Sequence, residues 1–318
     1  MSSLTQTLQQ GLRRLLGSRP AASAYRLFDL VLHQRIELSP SFVRMVFKAP
    51  EVAQMTTRAP DQRVKLFFPG PDGSLPRLPD SQHWKSALEA LPVARRPVMR
   101  TYTIRALRRE AHEVDVDFVL HGVNGPASTW ATHAQVGDRL QMLAPHLAHE
   151  GQLGGYEWKP PAGVRNVLLA GDETALPAIA GILESLANDA AELNVEAFIE
   201  VPLDADCIAL QHSPATRVHW LPRDVLRCAH GQGLLHAVSE LASLPQGHAT
   251  PGMRLKEVDI EKRILWEQAS STGSAFYAWV AGESATVMAI RRHLIKERGL
   301  QRECLTLMGY WRAGRSLG

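Results

Sequence analysis

Apolar and polar positions divide this chain into two textures. From about Tyr25 to Leu143 they form short runs that predict strands: Tyr25 to Leu32, Phe42 to Lys48, Val64 to Phe68, Arg100 to Arg105, Glu113 to Leu120 and Arg139 to Leu143. The clearest begins Val114-Asp115-Val116-Asp117, alternating apolar and charged as a half-buried strand should. Turn-forming stretches such as Pro69-Gly70-Pro71-Asp72-Gly73 separate the runs. Short strands with turns between them predict an antiparallel barrel over residues 22–150.

Residues 151–163 hold adjacent glycines, adjacent prolines and no apolar period, the composition of a linker. Beyond them strands alternate with helices. Val164 to Ala170 is a continuous apolar run, expected of a buried parallel strand. Leu176, Ile179, Ala180, Leu183 and Leu186 then fall on one helical face, with Pro177 in the tolerated first turn. Val195 to Val201, Arg217 to Leu221, Phe276 to Ala281 and Cys304 to Met308 read as further strands. A helix from Ser284 presents Val287, Ile290 and Leu294 together and stops at Gly299. This alternation predicts a parallel sheet covered by helices over residues 164–318, with an insertion near 248–272. The expected fold class is a two-domain β plus α/β protein: an antiparallel β-barrel followed by a parallel-sheet α/β domain.

Composition narrows the function. At 318 residues the chain is long enough for two cores. A formal net charge of +3, with basic residues scattered, argues against a nucleic-acid partner. Cys207, Cys228 and Cys304 lie too far apart for a zinc or iron–sulfur site, so redox chemistry would need an organic cofactor, and the odd count fits a reducing, cytoplasmic setting. No run approaches the length of a membrane span. Leu4, Leu8, Leu12, Leu15 and Leu16, with Arg13, Arg14 and Arg19, predict a short amphipathic helix before Pro20.

Chemistry-bearing residues fall in two groups. Arg100-Thr101-Tyr102-Thr103 lies on a barrel strand, with Arg100 and Tyr102 on one face and Thr103 on the other. A flavin needs a cation for its pyrophosphate, an aromatic ring beside the isoalloxazine and a hydrogen-bond partner; this string holds all three types. Some twenty residues on, a strand ends in His121, and Gly125 and Ser128 stand where a turn feeds a helix through Trp130. Free backbone N–H groups at such a start hold phosphate oxygens. A plain Ser-capped helix is the alternative for that segment alone. In the second half, Gly171-Asp172-Glu173-Thr174-Ala175 and Gly282-Glu283 each form a strand end, a turn and a helix start, and together could flank one dinucleotide. Neither is the Gly-x-Gly-x-x-Gly fingerprint of a classical dehydrogenase.

In that order these pieces resemble the siderophore-interacting protein family, FAD-dependent ferric-siderophore reductases built on the ferredoxin-reductase fold. The resemblance also rests on the run Val64 to Pro69, on Asp117 to Trp130, on Trp279 to Glu283 and on Gly309-Tyr310-Trp311-Arg312. It implies a non-covalent FAD at Arg100, Tyr102, Thr103, Arg105, His121, Gly125, Ala127, Ser128, Trp130 and Trp311. It implies NADH or NADPH over Gly171, Asp172, Glu173, Thr174, Ala175, Gly282 and Glu283, and a ferric-siderophore cleft near Lys65, His146 and Arg312. Two positions depart from the family: Ala144-Pro145-His146 stands where some members have an arginine, and Thr306-Leu307-Met308 lacks a basic residue.

The implied activity is hydride transfer from NAD(P)H to flavin, then single-electron reduction of chelated Fe(III). Glu200, in an acidic stretch after the second α/β strand, is expected to accept ribose hydroxyls and so favour NADH. Two rivals stand beside this reading: a reductase serving a flavodoxin or ferredoxin-like carrier, and a flavin-free siderophore-binding module.

Overall fold

The computed structural model describes residues 22–80, 83–122, 125–189, 193–245, 263–270 and 273–314. The expected N-terminal helix, and most of the expected insertion, lie outside them. Among the described residues no helix is long and apolar enough to cross a membrane.

The first sheet contains β1 (Tyr25–Ser39), β2 (Phe42–Lys48), β3 (Arg63–Phe68), β4 (Val98–Thr103), β5 (Ala106–Arg108), β6 (Glu113–Val119) and β7 (Arg139–Pro145), with α1 (Trp84–Ala90) before β4 and α2 (Pro126–His133) before β7. Its seven strands run in the order β4-β3-β7-β1-β2-β6-β5, every ladder antiparallel. No ladder joins the two edge strands. Arg105 N–H, in the link between them, donates to the Asp115 carbonyl of β6 at 2.9 Å, and the expected barrel is a half-barrel. Phe28, Phe47, Phe68, Phe118 and Met142 fill its inside.

β6 corrects one expectation. Its alternation predicts a wet face, yet Asp115 and Asp117 are both buried. Arginines from elsewhere meet them: Arg108 grips Asp115 at 2.8 and 2.5 Å, and Arg44 grips Asp117 at 2.7 and 2.9 Å. A buried carboxylate persists only when so paired. The period was legible, but the neutralising partners were not.

Residues 151–163 carry no regular element, yet they are fastened down. Asp61 accepts the N–H groups of Glu157 and Trp158 at 2.7 and 2.8 Å, and Arg63 pairs with Glu157 at 2.7 Å.

The second sheet holds β8 (Asn166–Gly171), β9 (Asn194–Val201), β10 (Thr216–Pro222), β11 (Trp266–Glu267), β12 (Phe276–Glu283) and β13 (Leu305–Trp311), in the order β10-β9-β8-β12-β13-β11. Five strands are parallel, and β11 adds an antiparallel edge that the apolar pattern missed. The helices are α3 (Leu176–Ala187), α4 (Arg223–Leu226), α5 (Gln232–His236) and α6 (Ser284–Arg292); α5 and α6 each run on into a wider π turn. Every residue of β12 is buried, as expected of a central strand covered on both faces. α3 lies between this sheet and the half-barrel, which explains why its apolar residues exceed a single stripe.

Register brings the carboxyl ends of the strands level. Ala281 of β12 pairs with Gly171 of β8, and Gly282 and Glu283 pair with Gly309 and Trp311 of β13. That shared edge carries the charged residues described next.

Candidate functional site

Two ligand-ready regions emerge, one on each sheet. On the half-barrel, β4 presents Arg100 and Tyr102 on one side and buries Thr103 on the other. The Tyr102 ring lies 4.3 Å from that of Phe118, tilted by 39°. Arg100 is half-buried and donates from Nη1 to the Met99 carbonyl at 2.8 Å; burial pulls its pKa below the usual arginine value.

α2 starts close by in the fold. Gly125 is its extended N-cap and Pro126 occupies the first turn. The Thr129 N–H makes the first helical bond, to the Gly125 carbonyl at 2.8 Å. Among the described residues the N–H groups of Ala127 and Ser128 therefore have no intrahelical carbonyl, although both residues are buried. The Ser128 hydroxyl turns inward and donates to the Gly122 carbonyl, so this residue offers a ligand its backbone. A half-buried cation, an aromatic ring and N–H groups at a helix start are the types that suit a planar redox ring carrying a diphosphate.

The remaining residues assigned to flavin behave differently. Trp130 is half-buried in the aromatic group of Phe47, Phe68 and Phe118, as a wall of the core. His121 is exposed at the end of its strand. Arg105 is engaged between the sheets: its guanidinium sits 3.7 Å from Asp117 and clasps Glu184 on α3, so it joins the two domains. The Trp311 indole N–H donates to Asp172 at 2.8 Å, fixing the ring over the carboxyl edge of the second sheet.

On that edge Asp172 is the organising residue. It is 1% exposed and accepts from Thr174 N–H, the Thr174 hydroxyl, Glu283 N–H and Trp311 Nε1. These bonds tie the β8 turn to β12 and β13. Burial, together with the adjacent Glu173 charge, pushes its pKa up. Gly282 is obligatory there: at φ 152° a Cβ would lie 2.7 Å from Asp172 Oδ2. Glu283 caps α6, accepting from Ala285 N–H at 2.6 Å and Thr286 N–H at 3.0 Å. Ala175 is buried, its N–H bonded to the Asp172 carbonyl.

Glu173 takes a two-pronged pair with Arg223, both contacts 2.8 Å. Burial opposes its charge, but His230 and Arg223 outweigh that and hold its pKa down to about 2. Glu200, expected to meet a ribose, is instead fully buried and accepts from Gly231 N–H, Leu234 N–H and Arg223.

The three residues expected around the substrate stand on different segments. Lys65 lies half-buried on β3, its amine 3.2 Å from the Thr101 hydroxyl; burial and Arg63 lower its pKa. His146 lies past the end of β7 in a bridge to Met55, and burial lowers its pKa. Arg312 follows Trp311 at the other sheet's edge. His230, at the heart of the carboxyl-edge cluster, went unnoticed in the sequence. It lies in a short turn with no flanking motif, and only folding carries it to Asp172 and Glu173.

Comparison with known proteins finds matches to both halves of the chain. A siderophore-interacting FAD-binding domain model matches residues 31–149, and a siderophore-interacting protein model matches residues 164–314. An uncharacterised protein of Mycobacterium tuberculosis strain H37Rv is 33% identical over 80% of this chain and 79% of its own. The ferric vibriobactin reductase ViuB of Vibrio cholerae is 26% identical over 92% and 90%. The crystal structure of a siderophore utilization protein from T. fusca superposes with a TM-score of 0.67 at 29% identity, covering 92% and 95%.

Proposed function

The chain belongs to the siderophore-interacting protein family, and on that premise we propose that it is an FAD-containing, NAD(P)H-dependent ferric-siderophore reductase that frees the metal as Fe(II). The observation carrying this reading is the pairing, in one ferredoxin-reductase-like fold, of a diphosphate-ready helix start behind β4 with a dinucleotide-type strand edge at β8 and β12.

Bound FAD would supply the redox chemistry, accepting a hydride from reduced nicotinamide and delivering single electrons to chelated iron. The chain's own residues bind and orient. Arg100 and the N–H groups of Ala127 and Ser128 would hold the pyrophosphate, with Tyr102 and Thr103 beside the ring. The turns Gly171 to Ala175 and Gly282 to Glu283 would align the nicotinamide cofactor, whose position relative to the flavin governs the rate. Lys65 would face an anionic ferric chelate. Siderophore oxygens hold Fe(III) through its charge, so lowering that charge weakens every bond at once.

NADH is the favoured donor. Of the cations near the end of β9, Arg223 is already engaged by Glu173 and Glu200, and Arg217 stands at the opposite end of β10 on Glu196. The free cysteines support a reducing compartment, the cytoplasm.

The test is a visible spectrum of the purified protein, followed by anaerobic NADH oxidation with a ferric chelate and a ferrous trap. Flavin bands and trapped Fe(II) support the reductase. A colourless protein that still binds the chelate would mean a binding module. Electron delivery to a ferredoxin or flavodoxin but not to chelates would mean a carrier reductase.

A further inference from the structure

The carboxyl edge of the second sheet is unusually acidic for a place that receives a dinucleotide. Asp172, Glu173, Glu200 and Glu283 converge there, and Arg223 is bound by two of them. The start of α6, which would ordinarily offer free N–H groups to phosphate, is closed: Glu283 accepts those of Ala285 and Thr286. A pyrophosphate approaching this edge therefore needs a positive charge from elsewhere.

His230 is placed to provide it. Its turn, between α4 and α5, is seated from two sides. Gly231 N–H donates to Glu200 at 2.6 Å, and at φ 80° Gly231 presses so close to α6 that a Cβ would lie 2.0 Å from the Thr286 hydroxyl. The imidazole meets the Trp311 ring edge-on at 5.0 Å between centroids. Nε2 stands 3.5 Å from Asp172 Oδ2 and 3.6 Å from Glu173 Oε2, inside ion-pair range but too long for a firm hydrogen bond. Nε2 is buried and has no hydrogen-bond partner among the described residues, while a quarter of the side chain remains accessible.

Resting on the functional reading above, we propose that His230 is a specificity-determining residue for the pyridine dinucleotide: its imidazolium offsets the strand-end carboxylates and lets the dinucleotide's phosphates approach. The charged groups facing it are Asp172 and Glu173 from the β8 turn and Arg223 from α4, with Glu200 of β9 beneath its turn. Burial disfavours the imidazolium, but the two acids outweigh burial and Arg223, so the ring titrates above its ordinary 6.5. Dinucleotide affinity is therefore highest at acid pH and declines as pH rises through that raised value.

The experiment is stopped-flow reduction of the bound flavin by NADH between pH 5.5 and 8.5, on the holoprotein and on His230→Gln and His230→Lys. In the parent, the apparent Kd for NADH rises with pH while the limiting rate changes little. His230→Gln raises Kd about five- to tenfold at pH 6 and flattens the profile. His230→Lys restores tight binding and is also flat, because lysine stays charged throughout. Oxidation of photoreduced flavin by a ferric chelate, the folding control, is the same in all three. Parent-like Kd and slope in His230→Gln would overturn the inference, as would failure of His230→Lys to rescue when the ferric half-reaction is intact. Absence of flavin reduction by NADH or NADPH in the parent itself would instead remove the functional reading, and this inference with it.

Discussion

Arg105 of the half-barrel clasps Glu184 of α3, one contact at 2.8 Å, while its Nε stays 3.7 Å from Asp117. The two domains are thus joined by a guanidinium that the family resemblance had assigned to flavin. Asp206 adds a second tie, accepting from the Ser39 hydroxyl at 2.7 Å and the Ser41 N–H at 2.9 Å. Between the two ties lies a cavity of about 230 Å³ lined by Leu38, Arg44, Leu176 and Ile208 among others.

If Arg105 serves the interface, Glu184→Ala should cost about 1 kcal/mol, roughly 2 to 4 °C in thermal midpoint. Arg105→Ala should cost more, because it also strips Asp117 of a neighbour, and both variants should keep their flavin. Flavin loss confined to Arg105→Ala would return this residue to the cofactor.

Arg100→Ala, by contrast, should lower FAD occupancy. Removing a charge-assisted pyrophosphate contact costs about 1.5 to 3 kcal/mol, or roughly tenfold to a hundredfold in affinity. Flavin content after dialysis reads this directly; full retention would place the arginine elsewhere.

Lys65→Ala should raise KM for an anionic ferric chelate severalfold and leave NADH oxidation by a small neutral acceptor unchanged. The ammonium is charged below its pKa, and burial with Arg63 brings that pKa below the ordinary 10.5. The parent's KM for the chelate should therefore begin to climb at a lower alkaline pH than an exposed lysine would give. Equal losses with both acceptors would mean that Lys65 supports the fold or the flavin.

NADH should exceed NADPH in kcat/KM at one ionic strength. Arg223 is already engaged by Glu173 and Glu200, so it is not at hand for a 2′-phosphate. Arg227, exposed after α4 in a left-handed conformation, is the described cation best placed to change this outcome. Should NADPH prevail, Arg227→Ala ought to reverse the order, and the role given to Arg223 would be wrong.

Glu173 carries a linkage prediction. Its folded pKa, about 2, lies below its ordinary 4.5. Its pairing therefore stabilises the fold fully above pH 4.5, and that contribution is lost as pH falls from there toward 2. Urea unfolding from pH 6 to 3 should show a decline with a share from this group of at most about 1.4 kcal/mol per pH unit. Glu173→Gln should make the acid slope shallower; an unchanged slope would show the pair to be silent.

Much of the architecture was legible in order along the chain. Alternation in its first half marked β6, the unbroken apolar run marked β8, and Gly125 with Ser128 announced α2. Each signal is local, created by which side chains a strand or helix must bury and by which turn a residue permits. β11 escaped because two residues carry no period; it exists only because β13 offers an edge.

The sequence by itself determined most of the longer strands and helices, their order and the two-domain class. Tertiary structure decided what each charge is for. Glu200 reads as an available acid, and only the return of residues 231 and 234, together with Arg223, consumes it. Trp311 and Asp172 are 139 residues apart, and no local pattern pairs them. A buried charge must find a partner wherever the fold brings one, so the identity of that partner belongs to topology and register rather than to the neighbouring residues.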